Sequence, residues 1–174
     1  METNSIQQPT ETAAASVYTP DQFLQSWLGQ RRVTRRLIEA FPQEALFNYS
    51  IGGMRPFSEM VKEIISMSSP GVKGLVSNDW TPIAGLDHHT GKVEAHSKND
   101  LLRLWDNATE DITTYWAQIP AERFQETVLA FGQYEGVANS IIQYIIDNEI
   151  HHRGQAYVYL RSLGIEPPAF YDRS

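Results

Sequence analysis

Apolar residues recur at helical spacing in four separate stretches of this chain, and no stretch alternates long enough to build a sheet. The first opens at Thr19-Pro20-Asp21. A threonine cap, a proline at the first helical position and an acid in the first turn mark a helix start. It carries Phe23, Leu24, Trp27, Leu28, Val33, Leu37 and Ile38 and stops near Phe41-Pro42. The second, RPFSEMVKEIISMSS, sets Phe57, Met60, Val61, Ile64 and Met67 on one side; Ser69-Pro70 behind it either restarts the helix or kinks it. The third, KNDLLRLWDNATEDITTYWAQI, follows Ser97 with Asp100 three residues on, a capping box with Asp in place of Glu, and Pro120 closes it. The fourth runs from about Val137 to Leu163 and ends at Gly164 ahead of Pro167-Pro168.

Four such helices predict an all-α four-helix bundle over residues 19–168 with long connecting loops, and no internal repeat. Residues 1–18 read as a disordered N-terminal tail and 169–174 as a short C-terminal tail. FPQEALFNYSIGGM, with its Gly52-Gly53 break, and NDWTPIAGLDHHTGKVEA read as loops; Thr127–Phe131 reads as a short extended piece.

Charge and composition narrow the function classes. The 174 residues carry a net charge of -7, which repels nucleic-acid phosphates and anionic membrane surfaces; no nucleic acid and no membrane is the expectation. No apolar run reaches membrane-spanning length, and the N-terminus lacks the basic and apolar blocks of a secretory leader, so the cytoplasm is expected. The densest basic run, GQRRVTRR (29–36), reads as a solvated helix face, with an anion-binding patch as the other reading. With no cysteine, a thiolate ligand or cysteine nucleophile is excluded, and any thiol chemistry takes its thiol from outside.

The polar residues of the fourth helix are where function is to be sought. At 100° per residue, Ile141, Ile145, Asn148, Ala156, Tyr159 and Leu163 all lie within about 40° of His152. His152 and Asn148 therefore sit mid-stripe, one turn apart. Glu149 and Gln155 flank the stripe, His151 and Arg153 project sideways, and Asp147 and Gly154 fall at the back. Inward Asn and His need partners, since an unsatisfied buried polar group costs about 1–3 kcal/mol. Two readings stand: the pair satisfies itself or a backbone carbonyl, or it forms part of a divalent-metal site inside the bundle. NEIHH is a poor match to the H-E-x-x-H zinc-protease motif, because Asn stands at the first ligand position.

Here the string IHHRGQAYVYLRSLGIEPP resembles the C-terminal signature of the DinB-like (DinB/YfiT, damage-inducible) superfamily, an H-x-x-x-H-R-G-Q pattern followed by a leucine-rich turn, Gly and Pro. MRPFSEMVKEI resembles the family segment that ends in an inward histidine, and the likeness spans roughly Asp21–Pro168. The resemblance implies a cytoplasmic four-helix bundle, usually a homodimer, that holds a divalent cation with three histidines. Some relatives are stress-related transferases or isomerases that use a low-molecular-weight thiol on a small-molecule substrate.

This chain departs from that pattern. Matching HRGQ to His152-Arg153-Gly154-Gln155 puts Asn148 at the first histidine, and the second-helix segment puts Glu63 at the third. The implied metal set is Glu63, Asn148 and His152. Three histidines suit zinc or nickel; a carboxylate, an amide and one imidazole make a harder site, better matched to manganese, magnesium or calcium. Glu63 sits about 100° from the apolar direction of its helix, so it either joins Glu59 on a solvated ridge or turns inward, where it could pair with His152 without metal. Two functions follow: a metal-dependent transferase or hydrolase, or a non-catalytic, metal-free member acting through dimer or partner contacts.

Other polar groups are assigned structural places. His88 and His89 lie on a loop and read as solvent-exposed; His96 serves the turn before a cap; His151 pairs with Gln155 or Asp147 on the surface. Arg153 is read as a structural donor to a neighbouring helix or chain. Gly154, costly inside a helix, hints at close backbone packing, and Trp27, Trp105 and Trp116 at core.

Overall fold

The computed structural model describes residues 18–82, 86–87, 92–93 and 95–174. The four periodic stretches become α1 (Pro20–Ala40), α3 (Phe57–Ser77), α4 (Lys98–Trp116) and α5 (Ala138–Ser162). Their ends follow the caps read from the chain. Thr19 closes a full capping box with Gln22, and Ser97 accepts from the Asp100 amide at 3.1 Å. Val137 and Leu163 prove to be the caps of α5 rather than its first and last residues.

Differences from the sequence expectation are local. The connection after α1 contains a short helix, α2 (Gln43–Asn48), before Gly52 and Gly53 turn the chain with positive φ. Pro70 neither stops nor restarts α3: residues 68–72 are buried around it, and packing on that face outweighs the one hydrogen bond a proline forfeits. α4 ends at Trp116, before the expected Ile119, as the chain turns toward Pro120. The expected extended piece is β3 (Thr127–Ala130), paired antiparallel with an unanticipated β4 (Tyr134–Val137) across a turn in which Phe131 and Gly132 take positive φ. Inside the long loop, β1 (Leu86–Asp87) pairs with β2 (Lys92–Val93); His88, His89 and residues 1–17 of the expected N-terminal tail lie outside the described residues.

Two apolar clusters fill the bundle. One gathers the C-terminal half of α1, the starts of α3 and α4 and the end of α5, with Phe41, Phe57, Leu101 and Leu160. The other gathers the opposite ends, with Trp27, Val72, Ile112 and Ile142. Helices α1 and α5 thus run one way and α3 and α4 the other. Trp27, Trp105 and Trp116 are all core. The C-terminal residues lie along α1, where Arg32 Nε donates to the Arg173 carbonyl at 2.8 Å and Arg36 Nη1 to that of Ser174 at 2.7 Å.

Glycine sets two of the close approaches to α3. A Cβ on Gly74 would meet the Trp80 ring at 2.3 Å, whereas one on Gly71 would meet the mobile tip of Ile145 at 2.5 Å. Gly74→Ala is therefore expected to lower stability by about 1–3 kcal/mol, and Gly71→Ala by less, since a methyl tip rotates away more cheaply than an indole. Urea titration of the two variants against the parent gives the ranking.

Candidate functional site

Two polar networks interrupt the apolar bundle, and both are organised by α5. Its consecutive pairs point in directions 100° apart. Asn148 and His152 face α3, while Glu149 and Arg153 face α1.

On the α3 side the three residues expected at the metal positions meet. His152 Nε2 lies 3.0 Å from Glu63 Oε1, Asn148 Nδ2 lies 3.0 Å from the same oxygen, and Nδ2 and Nε2 are 3.3 Å apart. Glu63 has left the ridge: its side chain is 17% exposed, while Glu59 remains in water and pairs with Lys62. The other Glu63 oxygen accepts from Arg55 Nη2 at 2.5 Å, on the exposed rim. Behind the imidazole, Nδ1 sits 2.8 Å from Gln155 Oε1, and Gln155 Nε2 reaches the Met54 sulfur at 3.4 Å. Gln155 therefore serves His152, not His151, and Asp147 accepts instead from Gln143 at 2.8 Å.

This arrangement has an electrostatic consequence. An amide oxygen is only an acceptor, so Nδ1 carries its proton toward Gln155. In the neutral ring Nε2 is then a bare lone pair, and it confronts a carboxylate oxygen at hydrogen-bond distance. A proton on Nε2 satisfies that contact, either as the second proton of a charged ring or, with the Gln155 amide turned over, as the single proton of a neutral one. Asn148 Oδ1 is buried without a hydrogen-bond partner among the described residues, an open acceptor beside that point. The Glu63 carboxyl is held well below the usual carboxylate range, first by its hydrogen bond to His152 and further by Asn148 and Arg55, against the opposing effect of burial.

On the α1 side lies a buried charge pair that composition did not betray. Glu149 is fully buried. It accepts from Thr34 Oγ1 at 2.7 Å and Trp27 Nε1 at 3.2 Å, with Arg31 Nη1 at 3.7 Å. Arg31, placed in a solvated basic run by the sequence, is 1% exposed and stacked 3.9 Å over the Trp105 ring. It donates to Thr109 Oγ1 and the Trp105 carbonyl. Burial pushes its guanidinium down to about 10, with Glu149 opposing, so it stays charged at neutral pH. Arg153 donates to the backbone and side chain of Gln30 on α1, the structural role expected of it. Helical spacing on α1 carried the missing signal: Trp27, Arg31, Thr34 and Ile38 share one face.

Other candidates fall away from these networks. His96 and His151 are exposed, and Gly154 has nothing within 4 Å of where a Cβ would stand, so the expected close packing does not occur among the described residues. A cavity of about 650 Å³ opens at the other end of the bundle between Phe23, Phe124 and Asn139, and no charged side chain lines it. Among the described residues no three His, Cys, Asp or Glu side chains gather as a metal cluster, and no helix is long and apolar enough to cross a membrane. The triad offers two such groups and an amide.

Bundle and motif together define the class, and comparison with known proteins agrees. The sequence model of the DinB family matches residues 8–174, and the chain belongs to that family. It is similar to two uncharacterized proteins of Bacillus subtilis. It is 22% identical to YjoA over 88% of this chain and 96% of that protein, and 24% identical to YrdA over 88% of each. Its fold matches the crystal structure of the DinB-like YjoA, with a TM-score of 0.63 at 22% identity over 85% of this chain and 97% of that one. A DinB-like protein from Bacillus cereus matches with a TM-score of 0.66 at 16% identity over 87% and 97%.

Removing the Glu149 charge strands Arg31 in the core. Glu149→Ala should destabilise by about 3–5 kcal/mol, far more than Glu59→Ala on the surface, as read from denaturant midpoints. At the triad, the depressed Glu63 carboxyl contributes stability that is present above the ordinary carboxylate pKa of about 4.3 and is lost as pH falls below it. The melting-temperature gap between the parent and Glu63→Gln should therefore be widest near neutrality and narrow steadily below about pH 4.3.

Proposed function

We propose that Glu63, Asn148 and His152 hold a divalent cation and that this DinB-family protein is a cytoplasmic metal-dependent enzyme acting on a small molecule. The observation that carries the reading is the Nε2 lone pair facing a carboxylate oxygen at 3.0 Å while Nδ1 is committed to Gln155. Fixing the far ring nitrogen is what outer-sphere partners of metal-binding histidines do. The donor triangle, with edges of 3.0, 3.0 and 3.3 Å, suits one face of an octahedral ion whose cis ligands stand about 3.0 Å apart. Turning the Asn148 amide over places its open oxygen in that triangle.

With two oxygens and one nitrogen, the set favours manganese or magnesium over zinc or nickel. A bound cation there would polarise a substrate oxygen or acidify water, as transferase or hydrolase chemistry requires. Glu63 supplies the one formal negative charge, Gln155 holds the imidazole in its ligating tautomer, and Arg55 offers a rim cation to an anionic substrate or an external low-molecular-weight thiol. A second reading keeps the site metal-free: Arg55 already neutralises Glu63, and a doubly protonated His152 closes the pair, leaving a buried network in a protein that works through partner contacts.

Elemental analysis of protein purified without chelator, then loaded with Mn, Mg, Zn or Ni, separates the two. About one equivalent of metal, lost in His152→Ala and in Glu63→Gln, is expected. No metal and no melting shift with any of the four cations would leave the metal-free network.

A further inference from the structure

We propose that the Met54 thioether is an oxidation site for peroxides, and that its sulfoxide fixes the tautomer of His152 through the Gln155 amide. The proposal does not depend on the cation reading, because its readout is the imidazole itself.

The chain has no cysteine, so methionine holds the only sulfur on which a peroxide can act. Of the four methionines, Met60 is 1% exposed in the core and Met67 packs against the second apolar cluster. Met1 lies outside the described residues. Met54 is placed differently. It follows the Gly52-Gly53 turn, its amide donates to the Ile51 carbonyl at 3.1 Å, and its neighbours Gly53 and Arg55 are exposed. Its own side chain is only partly buried, against the rim of the first apolar cluster. A residue on such a turn can take up an oxygen atom without driving it into packed apolar surface, which Met60 cannot.

Met54 is also the last link of a chain that runs to the triad. Gln155 Nε2 donates to its sulfur at 3.4 Å, Gln155 Oε1 lies 2.8 Å from His152 Nδ1, and His152 Nε2 lies 3.0 Å from Glu63 Oε1. The end of the amide that faces the ring decides where the proton of a neutral imidazole sits. The oxygen asks for a proton on Nδ1; the NH2 group asks for a lone pair there. A thioether is a weak acceptor, so it holds the amide only lightly in the first orientation.

Oxidation strengthens that hold. The sulfur lone pair attacks one peroxide oxygen, the O–O bond breaks and an S–O bond forms. The proton of the attacked oxygen passes to the departing one, which leaves as water or an alcohol. Sulfur loses two electrons and the peroxide gains them. The sulfoxide oxygen is a strong acceptor. It draws the Gln155 NH2 group outward, keeps Oε1 on the ring and so places the proton on Nδ1. The neutral ring then presents its Nε2 lone pair to Glu63 and Asn148.

Hydrogen peroxide treatment of the full chain, followed by peptide fragmentation in the mass spectrometer and nitrogen-15 NMR of the histidine rings, tests this. Met54 should oxidise at least about tenfold faster than Met60. With the ring neutral, the His152 nitrogen signals should shift toward the Nδ1–H tautomer on oxidation, and a methionine sulfoxide reductase should reverse the shift. Met54→Gln, which sets an amide oxygen near the place of the sulfoxide oxygen, should show the shifted signals without peroxide. Met54→Leu should not show them with it. In Gln155→Leu, Met54 should still oxidise while His152 stays unmoved, which separates a relay from a general loosening of the turn. Circular dichroism verifies that each variant is folded. Met54 oxidising no faster than Met60, a His152 tautomer indifferent to oxidation, or a shift that survives Gln155→Leu overturns the proposal.

Discussion

The buried contact between Arg31 and Glu149 fixes how α5 sits against the rest of the bundle. Glu149 has no water to turn to, so its carboxylate depends on the hydroxyl of Thr34, the indole of Trp27 and the guanidinium of Arg31, all on α1. Arg31 in turn reaches α4 through Thr109 and Trp105 and lies beside Ser68 of α3. One charge pair at mid-height thus ties all four long helices in one axial rotation. With Glu149 and Arg153 held toward α1, the residues one position earlier, Asn148 and His152, have no choice but to face α3.

That coupling explains why a polar pocket survives between two apolar clusters. A histidine and an asparagine free to rotate with their helix would turn toward water. Pinned from the other side, they meet Glu63, and the carboxylate drawn from the edge of α3 completes the triangle. The tautomer is set from behind by Gln155, whose own amide rests on Met54 in the turn that Gly52 and Gly53 make possible. The pocket is assembled from three consecutive levels of support: a buried ion pair, a helix rotation and a side-chain tautomer. It leaves one requirement, a proton or other electrophilic partner between imidazole and carboxylate.

Much of this was legible along the chain and some of it was not. The caps at Thr19 and Ser97, the stop at Gly164, and the inward direction of Asn148 and His152 follow from local sequence within one helix, whereas α4 ends at Trp116, short of Pro120. Family likeness added Glu63 to the set. The run of arginines reads as one solvated surface, yet Arg31 shares a face with Trp27, Thr34 and Ile38 and is buried with them. Glu149 reads as marginal to a single apolar stripe, but α5 buries two flanks, one against α1 and one against α3, and Glu149 lies on the first. Thr127–Phe131 reads as extended and forms β3, whereas the short helix α2 and the partner strand β4 do not show in the sequence, because a six-residue helix and a four-residue strand are too short for periodicity to emerge.

By itself the amino-acid order determined where helices begin and end and which residues lie together on each, since those depend on local backbone geometry and on caps a few residues away. Only the tertiary structure decided which face meets which. Trp27 and Glu149 are partners 122 residues apart, and no local rule brings them together. The inward turn of Glu63 belongs to the same class. Its position at the edge of α3 was compatible with water or core, and the nearby imidazole, amide and guanidinium stabilise the carboxylate enough to offset its partial burial.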